Sequence, residues 1–126
     1  TPHHVSSAAS DVYKRQALNA GISVIKPGNT ADDVAQKFWK VLDKYGIEKK
    51  SRTGYSIGIG YPPDWGEHTL NIYKGDMTVL EPNVCFHMIA VMQFGDGGVE
   101  ASESIRVTEN GSELFCNFPK ELHIKS

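Results

Sequence analysis

A chain of 126 residues and 13.9 kDa, 40% hydrophobic and 22% charged, has room for one domain with its own core and is not disordered by composition. A formal net charge of −2 and a pI of about 6.2 argue against a dedicated nucleic-acid binder with a broad basic surface. The longest apolar run, Met88-Ile89-Ala90-Val91-Met92, falls far short of the roughly 20 residues that cross a bilayer, and two cysteines, Cys85 and Cys116, make neither a disulfide framework nor a zinc spacing.

No signal-peptide pattern opens the sequence, so a soluble, cytoplasmic setting with reduced thiols is expected. Residues 1–16, TPHHVSSAASDVYKRQ, lack apolar periodicity, and nothing in them promises to hold them onto a core. VSSAASDVYKRQ resembles a peptide translated from adapter-derived DNA at the broken ends of assembled sequences; the alternative is a mobile tail leading into the next helix. His3 and His4 fall in this segment. From Ala17 the chain becomes orderly. ALNAGISVIKPG reads as the end of a helix stopped by Pro27-Gly28. Thr30 is a good N-cap, Asp33 puts negative charge in the first turn, and Val34, Phe38, Val41, Leu42 and Tyr45 form one apolar stripe, with Gly46 as the C′ residue. An amphipathic helix is expected over 31–45.

Alternation replaces the helical period after that. SIGIGY (56–61) sets Tyr55, Ile57, Ile59 and Tyr61 on one face against Ser56, Gly58 and Gly60 on the other. A face of serine and glycine implies close approach by a ligand or another backbone. YPPDWGEH breaks the strand, because two prolines cannot donate ladder hydrogen bonds. NVCFHMIAVMQF (83–94) is apolar on both faces and reads as a central strand. GDGG (95–98) is a turn, VEASESIRV a second strand, and ENG (109–111) a hairpin turn before SELFCNF. Helices followed by antiparallel strands make the class α+β.

Several residues stand out for chemistry. Glu103 shares a strand face with Val99, Ala101, Ile105 and Val107, and a carboxylate among apolar side chains is either paired or raised in pKa. Both states occur at active sites and in structural ion pairs. His87 shares a face with Cys85, Ile89 and Val91, and is either a satisfied core histidine or an acid, base or hydrogen-bond donor. In YPPDWGEH, Trp65 offers a cation–π face over a small polar or cationic ligand, or else anchors a surface turn. Asp64, Glu67 and His68 supply metal-binding atoms at no recognised spacing. Prolines, not a helix, follow Gly54, Gly58 and Gly60, which excludes a nucleotide loop.

ALNAGISVIKPGNTADDVAQKFWKVLDKYG, RTGYSIGIGYPPDWGEHT, GDMTVLEPNVCFHMI and GVEASESIRVTENGSELF, closed by FPKELHIK, resemble in order the blocks of the pita-bread fold shared by methionine aminopeptidase, Xaa-Pro dipeptidase and creatinase. The resemblance covers residues 17–124 and implies the C-terminal part of a larger catalytic domain at 17–126, with helices on a curved antiparallel sheet. Metallopeptidases of that fold hold two divalent ions with two aspartates, a histidine and two glutamates. The resemblance places the aspartates upstream of Ala17, the histidine at Tyr55, one glutamate at Ile89 and the other at Ser102. A phenol, an alkyl chain and a hydroxyl do not replace those ligands around hard divalent ions.

GYSIGIGYPPDWGE is most similar to the ectoine hydrolase form of the family's metal-free branch, which hydrolyses C–N bonds of small polar compounds without a cofactor. That likeness implies a site with catalytic His87 and Glu103 and substrate-binding Tyr55 and Trp65, with no metal ligand among them. His87 would carry the proton, Glu103 would orient a partner or hold positive charge, and Tyr55 would donate to a zwitterionic substrate. It also implies a full-length homodimer, a main catalytic carboxylate upstream of Ala17, and a fragment inactive alone. A misaligned Xaa-Pro dipeptidase and a non-catalytic binding module are the rival expectations.

Overall fold

The computed structural model describes residues 7–94 and 97–119. Helix α1 spans Ser7–Ile22 and helix α2 spans Ala31–Lys44. Five strands follow: β1 Gly54–Ile57, β2 Gly66–Ile72, β3 Cys85–Phe94, β4 Gly97–Val107 and β5 Ser112–Leu114. They form one antiparallel sheet in the order β2-β1-β3-β4-β5, with both helices on one face, so the expected α+β class holds.

Helix α2 forms where its caps and period place it. The Thr30 hydroxyl accepts from the Asp33 amide at 3.1 Å while the Asp33 carboxylate accepts from the Thr30 amide at 2.8 Å, a complete capping box. Gly46 follows the C-cap residue Tyr45 at φ +69°, a left-handed turn that favours glycine. Val34, Ala35, Phe38 and Leu42 are buried, and they meet Leu18, Ile72, Phe86, Met88, Ile105 and Val107 in one core between helices and sheet.

Helix α1 departs from expectation at both ends. It stops at Ile22, five residues before Pro27, where Ser23 Oγ donates to the Ala20 carbonyl at 2.6 Å and Asn29 Nδ2 donates to the Val24 carbonyl at 2.7 Å. It also runs straight through the boundary placed between residues 16 and 17. Asp11, Lys14, Ala17 and Leu18 are buried at helical spacing, and Tyr13 stacks on Tyr45 with ring centroids 4.1 Å apart. Lys14 Nζ lies 3.0 Å from Asp11 and donates to the Glu100 carbonyl at 3.4 Å, which ties the helix to β4. The hold on residues 11–16 is this polar face, invisible to a search for apolar periodicity. Residues 1–6, including His3 and His4, and part of the GDGG turn at 95–96 lie outside the described residues, as does the end of the FPKELHIK block.

Strand β3 lies at the centre of the sheet, as its composition implies, and β4 and β5 close a hairpin through Thr108–Gly111. Strand β1 is shorter than the alternation predicts. It ends at Ile57; Ile59 is 100% exposed and Tyr61 is exposed beside it. The reason is the Glu67 side chain, whose Oε1 accepts from the Gly60 amide at 2.6 Å. A Cβ at Gly58 would stand 2.9 Å from that oxygen, so the close approach implied by the glycines comes from a side chain of β2. Among the described residues no helix is long and apolar enough to cross a membrane.

Candidate functional site

The helices cover the sheet face that carries Phe86, Met88, Ala90, Ile105 and Val107. The opposite face carries the polar residues. Antiparallel register sets Tyr55 of β1 opposite His87 of β3, and His87 opposite Ser104 of β4, so the three form one row across three adjacent strands. The Tyr55 and His87 rings are 5.7 Å apart and tilted by 54°. His87 Nδ1 and Ser104 Oγ are 3.0 Å apart, within hydrogen-bond reach.

That row depends on close packing between β1 and its neighbours. Gly54, next to Tyr55, has no room for a side chain: a Cβ there would stand 2.8 Å from the His87 carbonyl oxygen and 3.0 Å from Ile72. The strand thus lies flush against β3 and β2 with Tyr55 turned to the open face.

The loop between β1 and β2 folds back over the row. Pro62-Pro63 is a cis peptide, and Asp64 accepts from the Gly66 amide at 2.9 Å and pairs with His68 at 2.6 Å. The Gly66 amide and then the His68 ring hold the exposed Asp64 carboxyl below its ordinary range. This small network fixes the loop so that Trp65 Nε1–H donates to the Tyr55 hydroxyl oxygen at 2.9 Å. Arg52 lies over the other ring, its guanidinium carbon 4.8 Å from the Tyr55 centroid, while its Nη1 donates to Asn71 at 2.6 Å. The result is an open cleft of about 370 Å³ lined by Tyr55, Ile57, Gly58, Gly60, Trp65, His87 and Ser104.

Three of the four residues singled out from sequence meet in this cleft. Glu103 does not. Register sets it opposite Met88, one residue out of step with the His87–Ser104 pair, so it belongs to the helix-covered face. It is 5% exposed and lines a separate hollow at the β4 edge with Lys14. The expectation that Glu103 and His87 share a catalytic site is corrected accordingly: the carboxylate is on the wrong side of the sheet. Ser104 takes the place beside His87, on the β4 face that it shares with Glu100, Ser102 and Arg106. Nothing in one sequence tells which face of β4 joins which face of β3.

Burial draws the His87 imidazole below the ordinary histidine value, opposed by the carboxylates of Glu100 and Glu103. The ring is therefore neutral at neutral pH. Nδ1 is engaged by Ser104, which leaves Nε2 for exchange.

The positions that the family resemblance gives to metal ligands share this open face, since Ile89 lies opposite Ser102 two residues along from His87. Their chemistry does not fit divalent ions. Tyr55, Ile89 and Ser102 offer a neutral phenol, an alkyl chain and a hydroxyl, and among the described residues no three His, Cys, Asp or Glu side chains converge as a ligand set.

The model of metallopeptidase family M24 matches residues 6–109 of the chain. The chain is 42% identical over 111 residues to ectoine hydrolase of Halomonas elongata, a match that covers 87% of this chain and 28% of that protein. Among solved structures it resembles dipeptidase PepE of Mycobacterium ulcerans, with a TM-score of 0.82 and 28% identity over 91% of this chain and 30% of that one. It also resembles Xaa-Pro dipeptidase of Bacillus anthracis, with a TM-score of 0.79 and 26% identity over 89% and 31%. The chain thus spans less than a third of the length of each.

Proposed function

Because the chain belongs to metallopeptidase family M24, we propose that it is the C-terminal part of a hydrolase acting on C–N bonds of small polar compounds, of the ectoine hydrolase type and independent of metal. The observation that carries this reading is the row Tyr55–His87–Ser104 under Trp65, on the sheet face to which the family resemblance assigns metal ligands and where Tyr55, Ile89 and Ser102 offer neither carboxylate nor imidazole. The 42% identity to an ectoine hydrolase supports the substrate class.

Hydrolysis of a cyclic amidine adds water to the amidine carbon and breaks one C–N bond. A proton must leave the water and another must reach the departing nitrogen. His87, neutral and facing the cleft, takes the first and returns it to the nitrogen. Tyr55 has its oxygen occupied by Trp65 Nε1–H, so its own hydroxyl proton is directed to the substrate. Trp65, half open to solvent, presents its ring to the positive end of a zwitterion. The full-length enzyme works in the cytoplasm as a homodimer. Taken alone, residues 17–126 do not turn over substrate.

A peptidase reading has the likeness to the two dipeptidase structures in its favour. One experiment separates the readings. Full-length enzyme is assayed with ectoine, creatine and an Xaa-Pro dipeptide before and after treatment with a chelator. Ring opening of ectoine at an unchanged rate after chelation is the expected result. Dipeptide cleavage that is lost on chelation and restored by manganese or cobalt would replace it with the peptidase reading, and no turnover of any substrate would leave a binding module.

A further inference from the structure

We infer that Ser104 is a positioning residue that holds His87 in its Nδ1–H tautomer, so that Nε2 is the nitrogen exchanging protons with the ligand. This deepens the hydrolase reading and rests on it. The geometry is direct: Ser104 Oγ lies 3.0 Å from His87 Nδ1, on the strand that flanks β3 on the side away from Tyr55, and both residues line the cleft.

The direction of that hydrogen bond follows from what His87 has to do. A serine hydroxyl either donates to a bare Nδ1 or accepts from Nδ1–H. If it donates, the neutral ring carries its proton on Nε2 and offers the cleft no lone pair. Once the ring becomes imidazolium, the hydroxyl also loses its acceptor. If it accepts, Nε2 keeps a lone pair on the neutral ring, and the Nδ1–H···Oγ bond survives when Nε2 gains a proton. Only the second arrangement carries a proton without breaking the contact that aims the ring. A hydroxyl at this position, unlike a carboxylate, does so without adding charge.

Trp65 does for Tyr55 what Ser104 does for His87. Its Nε1–H occupies the Tyr55 oxygen, so the cleft presents a hydroxyl donor from Tyr55 beside a nitrogen acceptor from His87. A donor and an acceptor side by side match an amide- or amidine-type edge, or a water held against one, in preference to a carboxylate, which has two acceptors.

The charged and titratable groups around His87 are Glu100 and Glu103 from β4, Tyr55 from β1, and Arg52 over the Tyr55 ring. They are the same in a Ser104 variant and drop out of the comparison. Full-length Ser104→Ala and Ser104→Thr enzymes are therefore compared with wild type in kcat, KM and pH profile. Ser104→Ala is expected to lose roughly tenfold to a hundredfold in kcat with little change in KM. Its acid limb should move to lower pH, because the lost bond favoured the imidazolium, and Ser104→Thr should restore both. An acid limb that moves to higher pH would show the hydroxyl donating to Nδ1 and overturn the inference, as would a Ser104→Ala enzyme with the wild-type profile.

The ring-nitrogen NMR spectrum of 15N-histidine-labelled wild-type enzyme reads the tautomer without turnover or substitution. A protonated Nδ1 with a bare Nε2 is expected, and the reverse would refute the assignment even if Ser104→Ala failed to fold. If the enzyme proves to have no hydrolase activity while this tautomer is found, the functional reading falls and the Ser104–His87 pairing stands.

Discussion

Replacing His87 by alanine in the full-length enzyme is expected to lower kcat by at least about a hundredfold while leaving KM within a small factor. The imidazole is the central member of the Tyr55–His87–Ser104 row and the one group there that is neutral near pH 7 and able to both take and return a proton. Alanine leaves Tyr55 and Trp65 in place to bind, so the loss belongs to the chemical step. Tyr55→Phe removes a donor to the substrate and the acceptor for Trp65 Nε1–H but leaves the proton carrier in place, and should cost less. Glu103→Gln is expected to act mainly on stability, since that carboxylate lies on the helix-covered face beside Lys14. Steady-state kinetics and denaturation of the three variants check the pattern. A His87→Ala enzyme with wild-type kcat would remove the proton carrier from this account.

The largest effect on stability should come from Phe38→Ala, at about 3–5 kcal/mol. Phe38 is completely buried on the inner face of α2, among Val34, Leu18, Met88 and Ile72, where the two helices meet the sheet. Truncation there loses the transfer energy of a ring and leaves a cavity that neighbours tied to β3 and α1 cannot fill. Domains of this size are commonly stable by only about 5–15 kcal/mol, so the loss is a large share of the total. Urea denaturation monitored by tryptophan fluorescence measures it. A loss under about 1 kcal/mol would mean that the core does not close around Phe38 as described.

These two residues also mark what a sequence reveals and what it withholds. Phe38 was legible because a capped helix with apolar residues at spacings of three and four has one way to face a core. Strand β3 was legible as a run apolar on both faces and β4 by alternation, which also foretold the burial of Glu103. What alternation does not carry is the register between strands. Shifting β4 by one residue against β3 would put Glu103 beside His87 and turn Ser104 toward the helices, with no change in either strand's own pattern. The error over Glu103 and the omission of Ser104 are therefore one fact seen twice.

Strand β2 escaped notice for a local reason. Only Leu70 and Ile72 are buried in it, and His68 interrupts it at φ +58°. The bond from Trp65 to Tyr55 depends on how the Pro62-Pro63 loop closes through Asp64, Gly66 and His68, a matter of geometry that composition does not encode. The likeness to ectoine hydrolase, by contrast, was carried by the residues themselves, because GYSIGIGYPPDWGE supplies both the Tyr55 phenol and the loop that orients it.

On the proposed reading, the open face of the sheet at Tyr55, His87 and Ser104 receives the substrate. A crystal structure of the full-length enzyme with ectoine bound to a slow His87→Ala or Tyr55→Phe variant tests it most directly. Density for the ligand is expected in the cleft under Trp65, with its ring nitrogen edge toward position 87 and position 55. Ligand density at the hollow beside Lys14 and Glu103, or anywhere else while this cleft stays empty, would contradict it.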